Sequence, residues 1–242
     1  MMTTDVQHTA ARFVLIHSPL CGPLTWGLVA QELRRQGVAV ELPAFGDDGT
    51  ATAAYWRQHV SAIVHALAGV PTDRPLILVA HSGAGPLLPA IGAALPQTIG
   101  AYLFADAGLP HPAFSRLDEM AQNVPDIAAG LRASLMAGGR YPTWRDDDLR
   151  ELIPDARLRA GMVAELQPRA LDYFTEPLPT IAGWPDAPCG YFRFSAAYDQ
   201  AADEAHRRGW PVHKFAADHF HQLIDPDGVA AALLALSRTL LP

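Results

Sequence analysis

The chain has 242 residues, half of them apolar, and a formal net charge of −7, enough to bury one substantial core without disulfide or metal staples. Its 18 cationic side chains form no basic stripe, which speaks against a nucleic-acid partner, and no apolar run approaches the roughly eighteen residues that span a bilayer, which speaks against a membrane one. Cys21 and Cys189 are too few for a disulfide framework and no charged start leads into an apolar signal segment, so the expectation is a reduced, cytoplasmic protein acting on a small molecule, without metal or other cofactor. Nothing in the residues fixes the oligomeric state, and a homodimer stays open.

Short apolar runs alternate with helix-length stretches, the pattern of a parallel sheet covered on both faces. Phe13 to Ile16 predicts a strand, Leu24 to about Arg35 a helix stopped by Gly37, and Val38 to Leu42 a second strand. The loop Pro43 to Gly49 precedes a helix from about Thr52 to Leu67. Leu76 to Ala80 reads as a strand followed by a helix from about Pro86 to Leu95, and Ile99 to Ala105 as a strand ending at Asp106.

From Leu109 the alternation stops. Helical pieces near Leu117–Ala121, Ile127–Met136, Asp146–Leu152 and Ala156–Glu165 are separated by proline- and tryptophan-rich stretches. A structureless loop of that length is improbable, so residues 109–188 are expected to form a helical cap, and 1–108 with 189–242 the core. The core resumes with a strand over Gly190 to Ser195, a short helix around Ala201–Arg208, a strand over Val212–Ala216 and a helix from Pro226 to Leu240. The expected fold is α/β, a mostly parallel doubly wound sheet of about six strands with the cap inserted before the penultimate one.

Ser82 lies in Ala80-His81-Ser82-Gly83-Ala84, where an apolar strand meets an apolar helix. A serine exposed on such a turn has a strained backbone, so the residues two before and two after must be small; here both are alanine. The plainer reading is a serine at an ordinary helix N-cap. An activated serine needs a base, and the base needs an orienting acid. His219, just past the last predicted strand, is the candidate base, with His221 its rival. Asp199 is the first candidate acid, though Asp capping the next helix is its plainer reading. Asp106 is the alternative acid, with a turn before Gly108 as its plainer reading; Asp203 and Asp218 rank behind.

With these residues assembled, the chain resembles the α/β-hydrolase superfamily, especially its small-esterase and hydroxynitrile-lyase branch, over nearly its whole length. Phe13-Val14-Leu15-Ile16-His17-Ser18, with Gly22 and Trp26 ahead of a helix, is similar to that branch's first strand and oxyanion loop; Asp218-His219 resembles its Asp-His pair at the base. The resemblance implies oxyanion N–H groups from Gly83 and from the second residue after His17, which here is Pro19. Proline has no N–H, and losing one such donor costs about a hundred- to a thousandfold in turnover. Either the loop turns the Leu20 N–H inward or the site manages with less, Ser18 Oγ being a further candidate donor.

His17 is expected to hydrogen-bond its own loop, and His81 to be a packing residue pointing away along the pleat. His59 and His65 do not share a helix face. Trp144, Tyr141 and Trp184, with Tyr173 and Phe174, are candidates for an acyl pocket, or else the cap's own core. The leading expectation is a serine hydrolase cleaving an ester or thioester through an acyl-enzyme. Two others stay open: a lyase or cyclase of a natural-product pathway that uses the Ser/His pair for proton transfer, and a ligand-binding protein on a retired catalytic scaffold. A cyanohydrin lyase is disfavoured because Lys214, the only lysine, lies outside the cap.

Overall fold

In the computed structural model, which describes residues 11–46 and 53–241, the strands are β1 (Arg12–Ile16), β2 (Val40–Glu41), β3 (Leu76–Ser82), β4 (Ile99–Ala107), β5 (Cys189–Arg193) and β6 (Val212–Lys214). They pair in parallel throughout, in the order β2-β1-β3-β4-β5-β6. Three helices belong to the first half, α1 (Leu24–Arg35), α2 (Tyr55–Ala66) and α3 (Leu88–Ala94). Between β4 and β5 lie α4 (Arg116–Asn123), α5 (Pro125–Met136), α6 (Ala156–Ala164) and α7 (Leu171–Thr175); then come α8 (Asp199–Arg207), α9 (His221–Ile224) and α10 (Pro226–Leu240).

Side chains alternate across the sheet with a period of two. Phe13, Leu15, Ile77, Val79 and Leu103 pack on one face against Trp26, Val29 and Leu33 of α1 and Val229 and Leu233 of α10. Val14, Ile16, Leu78, Tyr102 and Phe104 pack on the other against Val60 and Ile63 of α2, Leu88 and Ile91 of α3, and Ala202 of α8. Because both faces are covered, the strands read as continuous apolar runs, which made them visible in the sequence.

Several boundaries differ for local reasons. The strand expected from Val38 shrinks to β2 because the Val38 N–H bonds back to the Leu33 carbonyl, closing α1 over Gly37 at φ +79°. The helix expected from Pro86 begins as a 3₁₀ turn over Gly85–Leu87, and the piece near Asp146–Leu152 is a 3₁₀ turn over Asp147–Leu149. The short helices α7 and α9 carried no readable signal. Part of the expected loop Pro43 to Gly49 and the helix start at Thr52 lie outside the described residues.

Two carboxylates of the insertion reach the core. Neither Pro23 nor Ala54 caps its helix with a side chain; instead Glu165 accepts the Leu24 N–H at 2.9 Å, and Glu176 accepts those of Tyr55 and Trp56 at 2.8 and 3.0 Å. Negative charge at a helix N-terminus satisfies both the unpaired N–H groups and the helix dipole. Gly22 makes room for the first of these, since a Cβ there would meet Glu165 Oε2 at 2.1 Å. Among the described residues no helix is long and apolar enough to cross a membrane.

Candidate active site

The chain leaves β1 towards β2 and returns on the other side of β1 as β3, so the loops at the carboxyl ends of β1 and β3 diverge and leave a crevice. Ser82 stands there at φ +57°, a region that non-glycine residues adopt rarely and at a cost. Ala80 and Ala84 around it are fully buried. Gly85 is as constrained, because a Cβ there would meet the Gly108 carbonyl oxygen at 2.1 Å. The Ser82 reading as a plain N-cap does not hold: neither the 3₁₀ turn nor α3 that follows is capped by its side chain.

His219 sits in the loop after β6, and its Nδ1 donates to Asp106 Oδ2 at 2.8 Å, which leaves Nε2 free to act as a base. The carboxylate that meets the histidine is thus Asp106, the alternative candidate, and not Asp199. Asp199, the first candidate, opens α8 and accepts from Arg193 Nε at 2.6 Å; Asp203 pairs with Lys214. Asp106 reaches the histidine because it is an inserted residue: His81 pairs with Ala105 while Ser82 pairs with Ala107, so β4 bulges at Asp106, which takes φ +44°. Its Oδ1 also accepts the Phe194 and Ser195 N–H groups at 2.7 and 2.9 Å, and Oδ2 the Ser195 hydroxyl at 2.6 Å. Burial alone would raise this carboxyl, but the hydrogen bond and charge of His219 and the Ser195 bonds outweigh it and hold it below the ordinary range. His221, the rival base, packs against Phe194 and Phe215.

Ser82 and His219 line one cavity of about 290 Å³ together with Ser18, Leu20, Gly83, Tyr141 and Trp144. Pro19 does not line it, although its ring flanks Gly83, whose Cβ position lies 4.0 Å from Pro19 Cδ and 3.8 Å from Ser18 Oγ. The Leu20 N–H does not serve as the spare oxyanion donor: a turn joining the Cys21 N–H to the Ser18 carbonyl directs it to Ser18 Oγ at 3.3 Å. The Ser18 hydroxyl proton thus remains free to donate beside Gly83. Trp184 does not line this cavity either. It packs edge-on against Tyr102, Phe104 and Trp210 below the sheet, in the lead-in to β5, and borders a separate cavity of about 500 Å³ that contains neither Ser82 nor His219. Tyr173 and Phe174 line the cavity that holds Ser82 and His219 while also belonging to a buried cluster with Leu117 and Leu135.

Three contributions to the site carry no signal in the sequence, those of His81, Tyr198 and helix α4. His81, far from pointing away, stacks on His219 at 4.5 Å between ring centroids and donates from Nε2 to the His219 carbonyl at 3.0 Å, anchoring the base's loop. Burial first, and the neighbouring His219 next, push His81 down to about 3, so it stays neutral. His17 does brace its loop, with Nδ1 bonding the Ser18 carbonyl at 2.8 Å and Nε2 accepting the Phe45 N–H at 3.2 Å. Tyr198, on the turn before α8, places its hydroxyl 3.4 Å from Ser82 Oγ. Lastly, α4 lines the cavity with Arg116, Glu119, Met120 and Asn123, spaced as one helix face. Arg116 is paired with Glu176 at 2.8 Å, and burial, only partly offset by the Arg116 charge, pushes the Glu119 carboxyl up to about 7. No signal marked Tyr198 or Glu119, because neither sits in a motif.

An open parallel sheet that raises a strained serine at the turn after its central strand is the architecture of an α/β hydrolase. Residues 13–232 match the model of the alpha/beta hydrolase family, and the chain belongs to that family. None of the curated proteins matches the sequence. Among solved structures it is similar to an extracellular alpha/beta-hydrolase from a Paenibacillus species, described as homologous in structure and function to tobacco salicylic acid binding protein 2 (TM-score 0.74, 19% identity, 94% of this chain and 99% of that one). It is also similar to tomato methylketone synthase I, as an H243A variant with beta-ketoheptanoate (0.70, 16%, 95% and 98%), and to a pyrethroid hydrolase from Sphingobium faniae (0.68, 17%, 94% and 98%).

Proposed function

We propose that the protein is a serine hydrolase that cleaves a small-molecule ester or thioester through an acyl-enzyme. Ser82 Oγ attacks the carbonyl carbon, His219 Nε2 takes its proton and returns it to the leaving group, and Asp106 holds the imidazole in the tautomer that can do so. The Gly83 N–H and the Ser18 hydroxyl receive the oxyanion, the second in place of the amide that Pro19 lacks. Water then repeats the sequence to release the acid. Residues 109–188 act as the cap that closes over the substrate. The apolar lining from Leu20, Tyr141, Trp144, Phe174 and Phe220 suits a hydrocarbon or aromatic acyl group of modest size.

The observation that carries this reading is the strained Ser82 opening into the same cavity as a histidine whose Nδ1 is already held by a buried carboxylate. Steady-state assays with p-nitrophenyl esters of graded chain length and with acyl thioesters test it. Turnover is expected for short to medium chains and falls by at least about a thousandfold in Ser82→Ala. Full activity in that variant removes Ser82 as the nucleophile. A second reading, proton transfer without an acyl-enzyme in a lyase or cyclase, is favoured by one observation, the oxyanion loop with no inward amide. It predicts no acyl adduct on Ser82 under any substrate.

A further inference from the structure

Ser82 Oγ has one hydrogen-bond partner among the described residues, the Tyr198 hydroxyl at 3.4 Å. The Tyr198 ring lies parallel to the His219 imidazole, with centroids 5.2 Å apart and 9° between planes. Tyr198 ends the 3₁₀ turn Ala196–Tyr198, which follows directly on Ser195, and Ser195 is held by Asp106 through both its N–H and its hydroxyl. One carboxylate thus fixes the base and the turn that carries the tyrosine. Burial, followed by the nearby Glu119 carboxyl, pushes the phenol well above its ordinary value, so Tyr198 keeps its proton and has one to donate to Ser82 Oγ whenever the serine proton is turned towards His219.

We propose that Tyr198 is a catalytic residue whose hydroxyl donates to Ser82 Oγ and speeds release of the acyl group rather than its loading. The inference rests on the serine-hydrolase reading. In deacylation, water attacks the acyl carbon while His219 Nε2 takes one of its protons. The tetrahedral intermediate then breaks its carbon–Oγ bond, the electron pair goes to Oγ, and Oγ recovers a proton from His219 as the free acid leaves. Tyr198 loses no proton at any step. The oxygen of an acyl ester is a weak acceptor, whereas the departing Oγ carries growing negative charge, so the hydrogen bond strengthens along this step and lowers its barrier. In acylation the free serine oxygen already enjoys the bond, so the donor gives no advantage there.

The test is Tyr198→Phe, which retains the ring on His219, assayed on p-nitrophenyl esters, whose good leaving group makes deacylation limiting. One neutral hydrogen bond predicts that kcat falls by about three- to tenfold, KM falls by the same factor, and kcat/KM is unchanged. At a substrate concentration below the parent's KM, quenched turnover mixtures of the variant should carry a larger acylated fraction at Ser82 by mass spectrometry. An unchanged kcat, or a kcat/KM that falls with it, overturns the role of Tyr198. Labelling of Ser82 by a fluorophosphonate separates the two levels: a labelled serine with either of those outcomes sinks Tyr198 alone, and an unlabelled one sinks the hydrolase reading and Tyr198 together.

Discussion

A single inserted residue decides which carboxylate serves the histidine. Had β4 continued in register past Ala105, Asp106 would follow the pleat; the bulge turns it instead towards His219, Phe194 and Ser195. Its two oxygens do separate jobs, and this makes Asp106→Asn an informative substitution, because the remaining amide oxygen can still accept the two backbone N–H groups. The variant is expected to lower ester turnover by about a thousandfold or more through the wrong imidazole tautomer, with little change in KM. Asp199→Asn, which disturbs only the Arg193 pair on the surface side, is expected to stay within about twofold. The reverse order of effects would return Asp199 to the acid role. The placement of Ser82 and His219 on loops that meet at one cavity was legible in the sequence because strand, turn and helix signals bracket them. The choice between Asp106 and Asp199 as the partner of His219 was not, because a bulge leaves no mark on the apolar pattern, and an aspartate at a strand end and one opening a helix look alike.

Helix α4 shows how an element can be legible while its purpose is not. Its start is written in the Ser115/Asp118 capping box, yet nothing in its pattern says that Glu119 faces the Ser82–His219 cavity rather than solvent. The carboxyl packs against Gly108, where a Cβ would meet Glu119 Cδ at 2.3 Å, and takes only an Asn123 amide bond at 3.3 Å. Its folded-state value of about 7 lies above the ordinary 4.5. Such a group favours folding when protonated: its contribution is complete below pH 4.5 and is lost as pH rises through 7. The rise corresponds to roughly 3 kcal/mol by about pH 8. Glu119→Gln removes that dependence. In urea denaturation the variant is expected to match the parent near pH 4 and to exceed it by on the order of 3 kcal/mol near pH 8; an equal difference at both values would contradict the buried, proton-holding carboxyl.

Over the whole molecule, the doubly wound sheet was the most readable feature, since both-face burial turns each central strand into an apolar run and parallel pairing demands the intervening helices. The insertion was readable as helical but not in its attachments. Glu165 and Glu176 cap α1 and α2 from the far end of the chain, at 141 and about 121 residues' separation, a relation that no local pattern encodes. Trp184 was misassigned for the same reason, since an aromatic before β5 can sit above or beneath the sheet. The segments that follow β1, β3, β4, β5 and β6 all contribute to the lining of one cavity, and the claim that unites them is that Ser82 is an activated nucleophile. Mass spectrometry of the intact protein after exposure to a fluorophosphonate measures this most directly. A single phosphonyl adduct that peptide mapping assigns to Ser82, and that is missing from Ser82→Ala, is the predicted result; a folded parent protein that stays unlabelled, or a variant labelled as fast as the parent, would contradict it.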